Sequence, residues 1–297
     1  MSLKYFEQFK QLFFKEAAIF KSNFNNVESE FGDNWKQEFD LHLMKQFADN
    51  EENYINAIKG YSRFSIDAMR LQKRFNKKLK YEDVSYDEAC EKVYLNEEYM
   101  FKLYLPGIFV SHFLWRHHHR QLMFYKENFL PLIEKSSDQR FYDVGTGTGF
   151  YSVQFIRHNP KAEGTGIDLS PYSRKFTANM IKAWGFENNF TSCDKNIIEE
   201  SFEPFPFVQT IEVLEHLSDP QLFLNNLRKL LKKGGYGFLT AALTAPNADH
   251  IYLYWTPEEV IQQIEKAGFS VIKYCEDIAY EAEEGEHVPK LAAFIVQ

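Results

Sequence analysis

Apolar positions recur with helical spacing along the first part of the chain. Tyr5, Phe6, Phe9, Leu12, Phe13, Ala17 and Phe20 fall on one stripe, which predicts an amphipathic helix. A polar break near Asn25–Asn34 precedes a second helix over Lys36–Ala48, and a third runs from Glu52 to Leu79. Ser85, followed by Asp87 and Glu88, reads as the N-cap of a fourth helix with first-turn acids. From residue 140 the period changes, and short apolar runs alternate with amphipathic stretches. Strands are expected at 140–145, 163–168, 189–193, 206–212, 236–240, 270–275 and 290–296. Helices are expected at 149–158, 171–184, 219–232 and 256–267, with Gly234-Gly235 and Gly268 ending the last two. Such alternation builds an α/β fold, a Rossmann-like seven-stranded doubly wound sheet, behind an all-helical N-terminal domain. The polar link Lys135-Ser136-Ser137-Asp138 divides the chain into units 1–135 and 136–297.

Composition narrows the setting. The 297 residues are enough for two domains and a large core. The three cysteines, Cys90, Cys193 and Cys275, are widely spaced and fit no metal or redox pattern, so reduced thiols and a cytoplasmic protein are expected. No N-terminal apolar segment resembles a leader. The most apolar run, Leu103–Trp115, is interrupted by Pro106, Gly107 and His112 and is too short for a bilayer, so no membrane partner is expected. Abundant Phe and Tyr suit pockets for flat substrates. Residues 1–130 hold 19 basic and 19 acidic side chains, whereas the remainder holds 15 basic and 23 acidic. An acidic second half counts against a nucleic-acid partner there. One basic cluster stands out: Arg70, Lys73, Arg74, Lys77, Lys78 and Lys80. It is either a solvated helix face or a contact for an acidic carrier or a phosphorylated substrate.

The chemistry gathers around Arg140–Ser152, reading RFYDVGTGTGFYS. A strand, a glycine turn at Gly145, Gly147 and Gly149 and a helix follow one another, the opening of a nucleotide-binding unit. Asp168 lies 23 residues past Gly145, at the end of the second strand, where a carboxylate can accept from a ribose diol. The dinucleotide fingerprint would place glycine at Phe150, and no Gly-Lys-Ser/Thr ending follows.

The string Asp143-x-Gly145-x-Gly147-x-Gly149 resembles motif I of the class I S-adenosylmethionine-dependent methyltransferases, a likeness that spreads over roughly residues 138–297. The resemblance implies a sheet whose last strand runs antiparallel. It implies S-adenosyl-L-methionine as cofactor, with Asp143, Gly145, Thr146, Gly147, Gly149, Asp168, Leu169, Asp194 and Glu212 around it. In that reading Asp168 takes the ribose and Asp194 the adenine amino group, although Asp194 also reads as a turn cap.

Two further segments bear on mechanism. Glu212-Val213-Leu214-Glu215-His216 follows the fourth strand, and Asn247-Ala248-Asp249-His250 follows the fifth. Both look like the metal-dependent O-methyltransferases of ubiquinone biosynthesis and the small-RNA 2′-hydroxyl methyltransferases. Carried over, Glu212, Glu215, His216 and His250 would hold Mg²⁺, Mn²⁺, Fe²⁺ or Zn²⁺. Methyltransferases that use no metal carry similar strings, with Glu215 capping a helix and His216 lining the acceptor pocket. The catalytic candidates are therefore His216, Glu215 and His250, as ligands or as bases. A last cluster comprises Tyr104, His112, Trp115, Arg116, His117, His118, His119 and Arg120. On one continuous helix His112, Arg116 and His119 would share a face, as would Trp115 and His118, and one or two histidines would close over the acceptor. Tyr252 and Tyr254 are further candidates for the acceptor wall. The expectation is a methyltransferase for a small or carrier-bound metabolite, O-methylation favoured. An RNA 2′-O-methyltransferase and a non-catalytic scaffold on the same fold are the rivals. The oligomeric state, with a dimer as one option, stays open.

Overall fold

The computed structural model describes residues 3–48, 50–82, 85, 88, 93–94, 96–281 and 285–297. Phe6, Phe9 and Phe13 bury the inner face of α1 (Lys4–Glu16), following the predicted stripe. A short 3₁₀ turn, Ala18–Phe20, leads into α2 (Lys21–Phe47). This helix begins earlier than expected and is broken at Gly32, which has φ 67° and ψ −150°. The polar stretch before Lys36 is thus largely helical, and the break is one residue wide. Asn50 caps α3 (Glu51–Lys78), accepting from the Asn53 amide. Ser85 and Glu88 cap each other reciprocally, Glu88 N to Ser85 Oγ at 3.2 Å and Ser85 N to Glu88 carboxylate at 3.1 Å. Asp87 and Cys90 lie outside the described residues.

A π turn, Met100–Tyr104, runs into α4 (Leu105–Leu114), and α5 (Arg116–Phe124) follows after a single extended residue, Trp115, at φ −96° and ψ 117°. The expected continuous helix is broken here, so its face-sharing pattern does not hold. Helices α3 and α4 cross backbone to backbone: a Cβ on Gly107 would stand 2.7 Å from the Gly60 carbonyl carbon. Glycine is required there for close approach, not for a turn. A second π turn, Tyr125–Phe129, precedes the short α6 (Leu130–Ile133).

The second half alternates as the sequence predicts. Its strands are β1 (Arg140–Val144), β2 (Glu163–Ile167), β3 (Phe190–Cys193), β4 (Phe205–Thr210), β5 (Leu231–Leu243), β6 (Val271–Ile278) and β7 (Lys290–Val296). Its helices are α7 (Phe150–His158), α8 (Pro171–Trp184), α9 (Pro220–Leu230) and α10 (Pro257–Lys266). The sheet order is β3-β2-β1-β4-β5-β7-β6, with β7 antiparallel to both neighbours. β5 starts earlier than expected. Leu231 pairs with Phe205 and Tyr236 with Phe207, so Gly234-Gly235 sits in a bulge inside the strand and does not end a helix.

Two apolar layers cover the sheet. Leu224, Leu227, Val260 and Ile264 of α9 and α10 pack on one face with Leu239, Leu243 and Phe294. The other face, through Phe141, Phe155, Phe207 and Phe238, shares one continuous core with the N-terminal helices. Tyr125, for example, meets Phe238 edge-on at 4.8 Å and donates to Gln209 of β4 at 2.6 Å. Each buried Phe contributes roughly 1.5–3 kcal/mol, so the helical half is fixed to the sheet as a wall.

Candidate active site

Parallel strands end their hydrogen-bond ladders at the carboxyl edge, where the connecting loops have spare donors and carboxylates. There the loop between β1 and α7 turns through Gly145, Gly147 and Gly149, all at positive φ. A Cβ on Gly145 would lie 2.5 Å from Val213, so this residue must stay bare. Asp143 is buried beneath the loop and accepts from Ser152 Oγ. Burial raises its carboxyl to about 6. Asp168 accepts from the Gly147 amide at 3.0 Å and the Ser170 amide at 2.9 Å, while Thr146 Oγ1 stands 3.5 Å away. The carboxylate is therefore held in place with lone pairs left over, although burial shifts it upward. Asp143, Gly145, Thr146, Gly147, Asp168 and Leu169 all line one cavity of about 1410 Å³. Gly149 packs behind that lining, against Thr177. Leu169 is 53% exposed, an apolar side chain held out over the opening.

Asp194 is not brought into this group. Its carboxylate is 74% exposed and faces Arg174 at 3.9 Å, and the cavity wall after β3 is instead made by Lys195, Asn196, Ile197 and Ile198.

Across the cavity, the chain leaves β4 through Glu212, a non-glycine residue at φ 54°. Thr240 fixes it: Glu212 N donates to Thr240 Oγ1 at 2.8 Å, and that hydroxyl donates to Glu212 Oε1 at 2.7 Å. Burial raises the Glu212 carboxyl to about 7. Leu214–His216 forms a 3₁₀ turn. Its Glu215 carbonyl accepts from Ile251 N at 2.8 Å and Tyr252 N at 2.9 Å, clamping the loop after β5 against it. One donor atom each from Glu215, His216 and His250 lies within 4.8 Å of the others. Glu212 is outside that group, so the expected four-residue set reduces to three among the described residues.

The tautomers follow from the partners. His216 Nδ1 lies 2.9 Å from the Asp249 carbonyl and His250 Nδ1 lies 2.6 Å from the Ala245 carbonyl. A carbonyl only accepts, so both Nδ1 atoms carry protons, and in His250, whose charged form burial disfavours, Nε2 is bare. Both carboxyl oxygens of Glu215 are buried without a hydrogen-bond partner among the described residues. Burial, reinforced by Glu212, pushes the Glu215 carboxyl well above its ordinary value. His216 is raised: burial opposes its charge, but the Asp249 and Glu215 carboxylates outweigh burial. Burial lowers His250 to about 4.

Asp249, Tyr94 and Tyr104 complete this wall and were not singled out from the sequence as a unit. Tyr94 and Tyr104 donate to Asp249 Oδ2 at 2.8 and 3.0 Å, and Tyr94 Oη lies 3.1 Å from His216 Nδ1. The adjacency of Asp249 to His250 was the available signal. The tyrosines come from the helical half, so spacing could not link them to it. His112, His117 and His118 line the same cavity, whereas His119 packs against Phe31 at 4.5 Å. Tyr252 and Tyr254 stand outside the cavity, in a separate cleft where both contact Gln263.

Residues 142–236 match the family model described as a methyltransferase domain. A ubiquinone biosynthesis O-methyltransferase of Caulobacter vibrioides is 32% identical over 124 residues, covering 39% of this chain and 48% of that protein. The enzyme of the same name from Coxiella burnetii is 31% identical over 98 residues, covering 33% and 41%. The chain thus spans about half or less of the length of these curated relatives. Human N-acetylserotonin methyltransferase in complex with SAM has the same fold, with a TM-score of 0.55 at 12% identity over 85% of this chain and 73% of that one. PigF with SAH gives a TM-score of 0.53 at 13% identity, over 84% and 76%. No helix among the described residues is long and apolar enough to cross a membrane.

Proposed function

We propose, from the premise that residues 142–236 form a methyltransferase domain of the class I S-adenosylmethionine-dependent fold, that this protein methylates a hydroxyl group of a small molecule. The observation that carries the reading is that His216 and His250, grouped with the buried Glu215, line the cavity that the glycine loop also lines.

S-adenosylmethionine, when bound, supplies a methyl group already activated on a sulfonium. The chain has to bind it, aim the acceptor and provide for the acceptor's proton. Asp168, braced by Gly147 and Ser170, offers its remaining lone pairs to the ribose. Leu169, Ile197 and Ile198 supply flat apolar contacts for the adenine, the part in which Asp194 was expected. Asp143 and Glu212 place carboxyl groups around the cationic centre.

The donor chemistry at the opposite wall fits a divalent ion. One carboxylate and two imidazoles converge, each Nδ1 is tied to a backbone carbonyl, and two carboxyl oxygens are otherwise orphaned. Glu215, His216 and His250 would hold the ion, which would supply Lewis acidity toward a hydroxyl oxygen. The chain's own part is to orient these ligands. Asp249, fixed by Tyr94 and Tyr104, restrains His216, and the Ala245 carbonyl restrains His250. The bare Nε2 of His250 can also receive the acceptor's proton.

Calorimetric titration of S-adenosylhomocysteine into metal-stripped protein, repeated with Mg²⁺, Mn²⁺, Fe²⁺ or Zn²⁺, tests the reading. Micromolar binding, with an ion retained by wild type and lost in Glu215→Ala, is expected. Failure to bind S-adenosylhomocysteine would favour the scaffold alternative.

A further inference from the structure

Helix α3 ends at Leu79, whose left-handed backbone (φ 55°, ψ 31°) closes the last turn, its amide donating to the Phe75 carbonyl at 2.7 Å. Two residues on, Tyr81 packs against Phe75, ring to ring at 5.7 Å. Tyr81 is buried, so its hydroxyl needs a partner inside the protein. It finds one 164 residues away, accepting from the Ala245 amide at 3.0 Å. Burial, with the Glu215 and Glu212 carboxylates, raises the hydroxyl above its ordinary value, so it stays a neutral acceptor.

Ala245 opens the loop that carries His250. Just before it, Thr244 leaves β5 at φ 46°, a backbone region that non-glycine residues keep only when their surroundings impose it. The Thr244 amide donates to the Tyr254 carbonyl at 2.9 Å, and its hydroxyl donates to the Val288 carbonyl at 2.7 Å. Just after it, Pro246 has no amide to donate. Ala245 itself is held on both sides: its amide by Tyr81, and its carbonyl by His250 Nδ1 at 2.6 Å. The Tyr81 ring also stands 6.3 Å from the His250 ring, so packing and hydrogen bonding act on the same short segment. The far end of the loop is held separately, by Tyr94 and Tyr104 on Asp249.

We propose that Tyr81 is a positioning residue for His250: its hydroxyl fixes Ala245, and the Ala245 carbonyl then keeps the imidazole in one orientation, with Nδ1 protonated and Nε2 bare. The inference rests on the reading of His250 as ligand or base for its consequence, and on the hydrogen bonds alone for its geometry. Without the hydroxyl, Ala245 N–H loses its acceptor and the corner at Thr244 relaxes. His250 then loses the carbonyl that selects its tautomer. The helical half thereby sets a residue at the edge of the sheet, through a side chain that does not line the cavity.

Tyr81→Phe removes only the hydroxyl, and thermal unfolding checks that the variant is folded. The first measurement is long-range ¹H–¹⁵N NMR of the imidazoles in the metal-stripped full chain, with the His250 signals assigned by their loss in His250→Ala. Wild type should show His250 in the single Nδ1–H form, and Tyr81→Phe an average of the two tautomers. The second is calorimetric titration of Zn²⁺ with S-adenosylhomocysteine present. Tyr81→Phe should weaken Zn²⁺ about tenfold, as loss of a group that orients a ligand does, and leave S-adenosylhomocysteine affinity unchanged. In a His250→Ala background the same change should cost almost nothing further. An unchanged His250 tautomer in Tyr81→Phe, or a tenfold loss of Zn²⁺ affinity that persists without His250, would overturn the proposal. Should wild type take up no Zn²⁺, the metal reading falls, and the tautomer spectra decide the role of Tyr81 alone.

Discussion

Two sets of histidines face the same cavity, and their neighbours set them apart. His112, His117 and His118 sit among rings: His112 stacks on Phe150 at 4.3 Å, and His117 on Trp115. Burial without a carboxylate keeps all three neutral. His216 and His250 sit at strand ends beside Asp249 and Glu215, with each Nδ1 tied to a carbonyl. One residue type thus stands in an aromatic wall in the helical half and, on the proposed reading, serves as an oriented ligand or base in the sheet half. Burial alone does not make a histidine reactive; a fixed tautomer beside a carboxylate does.

The sharpest way to break this comparison is to remove the strand-end pair. His216→Ala with His250→Ala should lower kcat/KM on the order of 10³-fold, while S-adenosylhomocysteine binding stays intact. Retention of full activity would move the chemistry to the helical histidines. The donor side should respond in the opposite sense: Asp168→Ala should weaken S-adenosylhomocysteine binding by roughly 10- to 100-fold, because two or more hydrogen bonds to the diol are lost. An unchanged dissociation constant would take Asp168 out of the ribose role.

The helical half should instead respond through stability. Gly107→Ala drives a methyl group into the Gly60 backbone and should cost about 1–3 kcal/mol in urea unfolding. A neutral result would mean that α3 and α4 can move apart freely. A pH-dependent effect concerns His42, buried among Phe113, Phe150 and Trp184. Its Nε2 faces donors from Gln154 at 2.9 Å and Arg157 at 3.2 Å, and burial lowers it to about 4. The unfolded chain takes up this proton near 6.5, whereas the folded one waits until about 4. His42 therefore contributes stability above pH 6.5 that is lost as pH falls toward 4, with a slope of at most about 1.4 kcal/mol per pH unit. In His42→Phe the fall in unfolding free energy over that window should be shallower by this amount; an identical slope would show that His42 is protonated in the native state.

The sheet half was the more legible region because its signals are local. Strand and helix periods, the glycine loop and the spacing to Asp168 each need only a few neighbouring residues, and β1, α7, α8 and β7 fall within a residue of expectation. The candidate site was legible where two short strings held its residues, as with Glu215, His216 and His250. It was not legible where a residue's direction depends on the loop it stands in, as with Asp194, which faces Arg174, or on partners far along the chain. Tyr94 and Tyr104 reach Asp249 across 155 and 145 residues. Propensity alone carries the histidine run as one helix; the break at Trp115 arises where Phe64 and His117 stack on its two sides and Ser65 Oγ takes its indole N–H at 3.3 Å.

By itself, the sequence determined a doubly wound sheet with its glycine loop and carboxylates at one edge, because backbone period and turn chemistry act over a few residues. Tertiary structure alone decided which of nine histidines face the cavity, which of those are tethered beside carboxylates, and that the helices form a fixed wall on the sheet. Those outcomes depend on burial and on contacts between distant segments, which no local pattern encodes.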